Sequence, residues 1–86
     1  MGMRFEPDAS IDLHGRTPEA AMEYLRRATE SGRYRGKSLL VVHGQGRGIL
    51  RERVRAWGRE SRCVREIWPG EDYFIPGGGG VTVFFL

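Results

Sequence analysis

The stretch VVHGQGRGIL, residues 41–50, decides the fold. Its two valines close SLLVVH, residues 38–43, an almost unbroken apolar run of the kind buried at a sheet centre. Gly44, Gly46 and Gly48 follow at alternate positions. A helical pattern then begins near Ile49, with Leu50, Val54 and Trp57 at i, i+4 and i+7 facing the sheet. The segment therefore reads as strand, glycine loop, helix. Two readings of the loop stand side by side. It is a tight strand–helix turn, or it is a phosphate cradle, because glycines let backbone N–H groups close on an anion at a positive helix end. No GxxxxGK[ST] occurs, and the GxGxG spacing misses the third glycine of a GxGxxG dinucleotide fingerprint. A polymer phosphate suits the loop better than a nucleotide.

Working outward, IDL at 11–13 is a short strand leading into HGR. Thr17, Pro18 and Glu19 read as N-cap, N1 and acidic first turn. Ala21, Tyr24, Leu25 and Ala28 form one apolar stripe, and Gly32 is placed to end that helix. VREIW at 64–68 alternates as a strand with one wet face, PGEDYFIPGGGG at 69–80 is a loop, and VTVFFL at 81–86 is an apolar final strand. The order β-α-β-α-β-β predicts an α/β fold, more narrowly an α+β two-layer sandwich. Its four-stranded mixed sheet carries both helices on one face. The apolar last strand belongs inside and the alternating third strand at an edge. That favours the order 1-2-4-3 with the fourth strand antiparallel, over 1-2-3-4, which exposes the apolar strand.

Eighty-six residues make one domain, read as a tail over 1–10 and a folded unit over 11–86. No run approaches a membrane span or a signal peptide. The single cysteine, Cys63, allows no internal disulfide or CxxC metal site, which fits a reducing, cytoplasmic setting. A monomer is expected. The net charge is only +3, but residues 33–65 hold ten basic residues against the acids Glu52 and Glu60. Arg51, Arg55, Arg59 and Arg62 fall on one helical stripe. Such a block points to a nucleic-acid backbone; a solvated arginine face is the plainer alternative. Few aromatics interleave with the stripe, so weak sequence preference is expected.

His14 and His43, the only histidines, each follow a strand. Parallel neighbouring strands would bring both to the carboxyl edge of the sheet, where α/β proteins bind ligands. Asp12, two residues before His14, shares its sheet face and can orient an imidazole. Two histidines and an acid beside a phosphate cradle make a general acid–base set.

Three motifs in order, IDLHGRTPEAA, VVHGQGRGIL and GGGGVTVFFL, resemble the signatures of the small MutS-related (Smr) domain family, from Ile11 to Leu86. The resemblance implies a two-layer α/β domain similar to the C-terminal domain of translation initiation factor 3. It also implies nucleic-acid cleavage. Members include DNA-nicking endonucleases and endoribonucleases acting on the mRNA of stalled ribosomes, and the domain occurs alone or at the end of MutS-like ATPases. The family's Asp-x-His falls on Asp12 and His14, and its His-Gly-x-Gly on His43, Gly44, Gln45 and Gly46. Only ten residues precede the first motif, as in a minimal member or an excised domain.

The expected function is an endonuclease on RNA or DNA. His43 would be the acid or base nearest the scissile bond, with His14, held by Asp12, as its counterpart. Gly44, Gln45, Gly46 and Gly48 would cradle the phosphate, Arg47 and Arg51 clamp it, and Arg55 and Arg59 follow the backbone. No metal site is expected; a metal, if one serves, would be Mg²⁺ or Mn²⁺. Partners are nucleic acid, in a ribosome or MutS-like ATPase context, and no membrane. The alternative is a non-catalytic nucleic-acid-binding module; a protein-interaction domain is remoter.

Overall fold

The computed structural model describes residues 5–86. The elements run β1 (Ala9–Asp12), α1 (Pro18–Glu30), β2 (Ser38–Val42), α2 (Ile49–Glu60), β3 (Glu66–Pro69), a 3₁₀ turn (Gly78–Gly80) and β4 (Val81–Phe85). The sheet order is β1-β2-β4-β3. β1 and β2 are parallel, and β4 runs antiparallel to both β2 and β3. The polarity argument thus holds. Val83, Phe84 and Thr82 of β4 are fully buried, whereas β3 forms an edge with Glu66 exposed.

Alternation divides the sheet into two faces. Ile11, Leu13, Leu39, Val41, Phe84 and Leu86 pack with Ala21, Leu25 and Val54 of the two helices. Val81, Val83 and Ile75 form a smaller cluster on the other face with Phe5, Leu40, Val42, Trp68 and Phe85. Strand β1 begins at Ala9, two residues before the expected start, and the Asp8 carboxylate accepts from the Ser38 amide at 2.9 Å. Residues 5–10 of the expected tail therefore engage the sheet, and residues 1–4 lie outside the described residues.

Helix α1 starts as its sequence dictates. Thr17 is extended, its hydroxyl accepts from the Ala20 amide at 3.2 Å, and Pro18 occupies the first helical position. Its buried stripe departs from expectation at Tyr24. Ala21 and Leu25 are fully buried, but Tyr24 stays 37% exposed beneath the Arg16 guanidinium, 4.5 Å from the ring centre. A parallel strand before and after each crossover leaves the ends of β1 and β2 at one edge of the sheet. β3, antiparallel to β4, ends there too.

Candidate functional site

At that edge the β1 and β2 turns meet. A Cβ placed on Gly44 would lie 3.8 Å from the His14 Cβ. The two sequence motifs are therefore neighbours in space, as expected. The two histidines are not equivalent.

His14 stands in water. Its side chain is 70% exposed, and its Nδ1 lies 2.8 Å from Asp12 Oδ1. The same carboxylate oxygen accepts from the His14 backbone amide at 3.0 Å. Those hydrogen bonds hold the Asp12 carboxyl below its ordinary value of 3.8. A carboxylate can only accept, so Nδ1 carries the proton and Nε2 is left without a partner among the described residues.

His43 is enclosed. It is 4% exposed, with Nδ1 2.8 Å from the Gly44 carbonyl and Nε2 2.9 Å from Thr82 Oγ1. The carbonyl fixes the proton on Nδ1, so Nε2 accepts from the Thr82 hydroxyl. That hydroxyl in turn accepts from Arg55 Nε at 2.8 Å. Burial holds His43 below the ordinary 6.5, against the upward pull of the Gly44 carbonyl; Arg55 and Arg51 push the same way as burial. Both His43 ring nitrogens are thus engaged within the protein, whereas His14, also expected to act in acid–base chemistry, keeps one ring nitrogen open.

The register explains the difference. Asp12 is level with Val42, and Leu13 donates to the Val42 carbonyl at 2.7 Å. Continued by one residue, Leu13 is level with His43, and both face the helices. His14 comes one residue later and faces away.

Arg55 corrects an expectation. It was expected on an exposed stripe, yet it is buried, forming two hydrogen bonds of 2.7 and 2.8 Å with the Glu71 carboxylate. The loop after β3 brings Glu71 over the helix, which no helical periodicity can foretell. Arg62 also leaves the stripe, because α2 ends at Glu60. Arg47 and Arg59 are exposed. Arg51 stays by the loop: a Cβ on Gly48 or Gly79 would lie 2.7 or 3.6 Å from its guanidinium.

The Arg55 hydrogen bonds hold the Glu71 carboxyl down at about 2, from an ordinary 4.5. A depressed folded-state value stabilises the fold above about pH 4.5 and loses that contribution as pH falls toward 2. Thermal melts taken through that window should show a drop that Glu71→Gln flattens. An unchanged profile in the variant would remove this pair from the acid response.

The glycine loop supplies donors. Gly44, Gly46 and Gly48 have φ of 79°, 40° and 83°, alternating with residues of ordinary φ. Alternation of this kind is one of the backbone patterns from which anion-binding nests are built. The Gly44 amide donates to Gly80 and that of Gly48 to Gln45. Among the described residues, the amides of Gln45, Gly46 and Arg47 have no partner within the protein. Gly48 caps α2 without a side chain, so the first helical amides are also open. The tight-turn reading and the cradle reading are thus compatible.

Thr82, Glu71 and the Gly80 carbonyl, which accepts from both His43 and Gly44, escaped the sequence reading. The signal was present for one of them: a threonine inside VTVFFL needs a buried partner. Among the described residues no group of three or more His, Cys, Asp or Glu is placed to hold a metal ion. Asp12 and His14 alone do not fit the oxygen cage that Mg²⁺ or Mn²⁺ prefers. No helix in the described residues is long and apolar enough to cross a membrane.

Residues 11–86 match the Smr domain family. The chain is 34% identical over 83 residues to an endonuclease MutS2 of Caldicellulosiruptor bescii, covering 92% of this chain and 10% of that protein. It is 35% identical over 54 residues to the ribosome rescue factor SmrB of Shewanella putrefaciens, covering 62% of this chain and 31% of that one. The crystal structure of the Smr domain of Thermus thermophilus MutS2 superposes with a TM-score of 0.76 at 34% identity, covering 91% of this chain and 96% of that one. The chain thus spans only a minor part of both curated relatives.

Proposed function

This chain belongs to the Smr domain family, and from that premise we propose that it is a nucleic-acid-binding endonuclease cutting RNA internally. The observation that carries the proposal is the solvent-facing Asp12–His14 pair beside a loop whose Gln45, Gly46 and Arg47 amides have no partner among the described residues. The names of the MutS2 and SmrB relatives, an endonuclease and a ribosome rescue factor, support a nucleic-acid target.

In the proposed reaction the amides of residues 45–47 and the Arg51 guanidinium hold the scissile phosphate, with Arg47 beside them. His14 Nε2 removes the proton of the neighbouring 2′-hydroxyl. The 2′-oxygen forms a bond to phosphorus, and the bond from phosphorus to the 5′-oxygen breaks. Water protonates the departing oxygen, leaving a 2′,3′-cyclic phosphate and a 5′-hydroxyl. Asp12 fixes the imidazole and offsets the positive charge it gains. His43 shapes the loop from beneath through Gly44 and Thr82.

Labelled RNA and DNA, each incubated with the protein with and without EDTA, test this directly. RNA cutting that survives EDTA and leaves 2′,3′-cyclic ends is expected. A 3′-hydroxyl product, or strict dependence on Mg²⁺ or Mn²⁺, would replace the scheme with metal-assisted nicking. Binding without cutting under every condition would select the non-catalytic module. In the same preparations, Arg47→Ala with Arg51→Ala should lower the slope of log affinity against log salt by about 1.4–1.8, two phosphate contacts' worth.

A further inference from the structure

The turn that carries His14 also carries Arg16, and Arg16 opens a groove along the outer side of α1. The groove encloses about 640 Å³ and is lined by Arg16, Tyr24, Arg27, Arg33 and Tyr34, with Glu23 on one wall. Its surface alternates guanidinium and aromatic ring. Arg16 lies over Tyr24 at 4.5 Å and Arg33 over Tyr34 at 5.5 Å. Glu23 is taken up by Arg26 and Arg27. Among the described residues, Arg16 and Arg33 have no carboxylate partner, so their charges are free for a ligand.

We infer that this groove holds an unpaired nucleic-acid strand next to the scissile phosphate, with bases stacked on the Arg16–Tyr24 and Arg33–Tyr34 pairs and phosphates on the free guanidiniums. The inference rests on reading the chain as nucleic-acid-binding. Flat aromatic and guanidinium surfaces stack any base, and the arginines answer the phosphates between them. Only Gly15 separates Arg16 from His14, so the groove begins on the same turn that carries the dyad. A second aromatic surface exists at Trp68, Tyr73 and Phe74, where the Trp68 and Tyr73 rings stack at 4.4 Å. Glu66, which accepts from Trp68 Nε1 at 2.6 Å, and Asp72 adjoin it without an arginine partner among the described residues, and their charge would repel a phosphate backbone. The α1 groove is the one whose charge suits the ligand. A duplex keeps its bases paired inside and cannot use the rings, so the groove makes the domain prefer single strands.

The test measures affinity for a fluorescent single-stranded RNA and for a duplex of equal length, in the His14→Ala background so that cutting does not interfere. Tyr24→Ala should weaken single-strand binding by about 5- to 150-fold, the range for one lost stacking partner. Tyr24→Phe, which keeps the ring, should restore it. Arg33→Ala should lower the single-strand salt slope by about 0.7. Duplex affinity should not change in any of the three. Unchanged single-strand binding in Tyr24→Ala and Arg33→Ala overturns the inference, as does equal loss on duplex or no nucleic-acid binding at all. Cutting by the otherwise unaltered protein is scored separately. Cutting with groove variants that bind normally leaves the dyad standing and removes the groove. Groove-dependent binding without cutting does the reverse.

Discussion

Replacing His14 by alanine is expected to slow RNA cutting by about 10²–10⁴-fold, the usual contribution of a general acid or base. Affinity for the strand and thermal stability should barely move, because the side chain is 70% exposed. His43→Ala should behave in the opposite manner. It leaves the Gly44 carbonyl and the Thr82 hydroxyl short of a partner in the interior, a loss of about 1–3 kcal/mol. Protein that remains folded should still cut far better than the His14 variant. Cutting rates and melting curves on the same two preparations decide the matter. An unshifted melt for His43→Ala, with a rate as low as that of His14→Ala, would return the proton-transfer role to His43.

The largest stability effect is expected at Arg55. Arg55→Ala removes a buried guanidinium from Glu71 and from Thr82 and opens a gap under α2. Breaking a fully buried pair costs about 3–5 kcal/mol. Here Glu71 remains half in water, so about 2–3 kcal/mol is expected. In a domain of this size that lowers the melting midpoint by roughly 10–20 °C. Arg59→Ala, one turn further along α2 and exposed, should change stability by no more than about 0.5 kcal/mol. Equal melts for the two variants would mean that Glu71 does not hold Arg55 in solution.

These two residues also mark what a sequence can convey. The strand order was readable because VTVFFL and VREIW differ in polarity, and burial follows polarity. The start of α1 was readable because Thr-Pro-Glu has one good local use. The neighbourhood of Asp12, His14 and the glycine loop followed from parallel strands ending at one edge. Which way each histidine points depends on a one-residue difference in register between β1 and β2, and register is a tertiary quantity. Arg51, Arg55 and Arg59 look alike on a helical wheel. Only the path of the loop from Pro69 to Gly80 separates the one that is inside from those that are not. Tyr24 fitted the apolar stripe by spacing, but it lies at the rim, where the guanidinium of Arg16 covers it.

The last strand of the chain lies in the middle of the sheet, between β2 and β3. During vectorial synthesis, residues 5–80 therefore emerge with β2 lacking one neighbour and β3 lacking its only one. The chain must wait for residues 81–86 before the sheet can close. The wait extends to the candidate site, because the Gly80 carbonyl anchors the backbone of His43 and Gly44, and Thr82 anchors the His43 ring. A nascent chain halted before Val81 would have both histidines and all three loop glycines but no assembled centre. The topology thus acts as a timer, withholding the assembled glycine loop and its two histidines from any partly made copy of the domain.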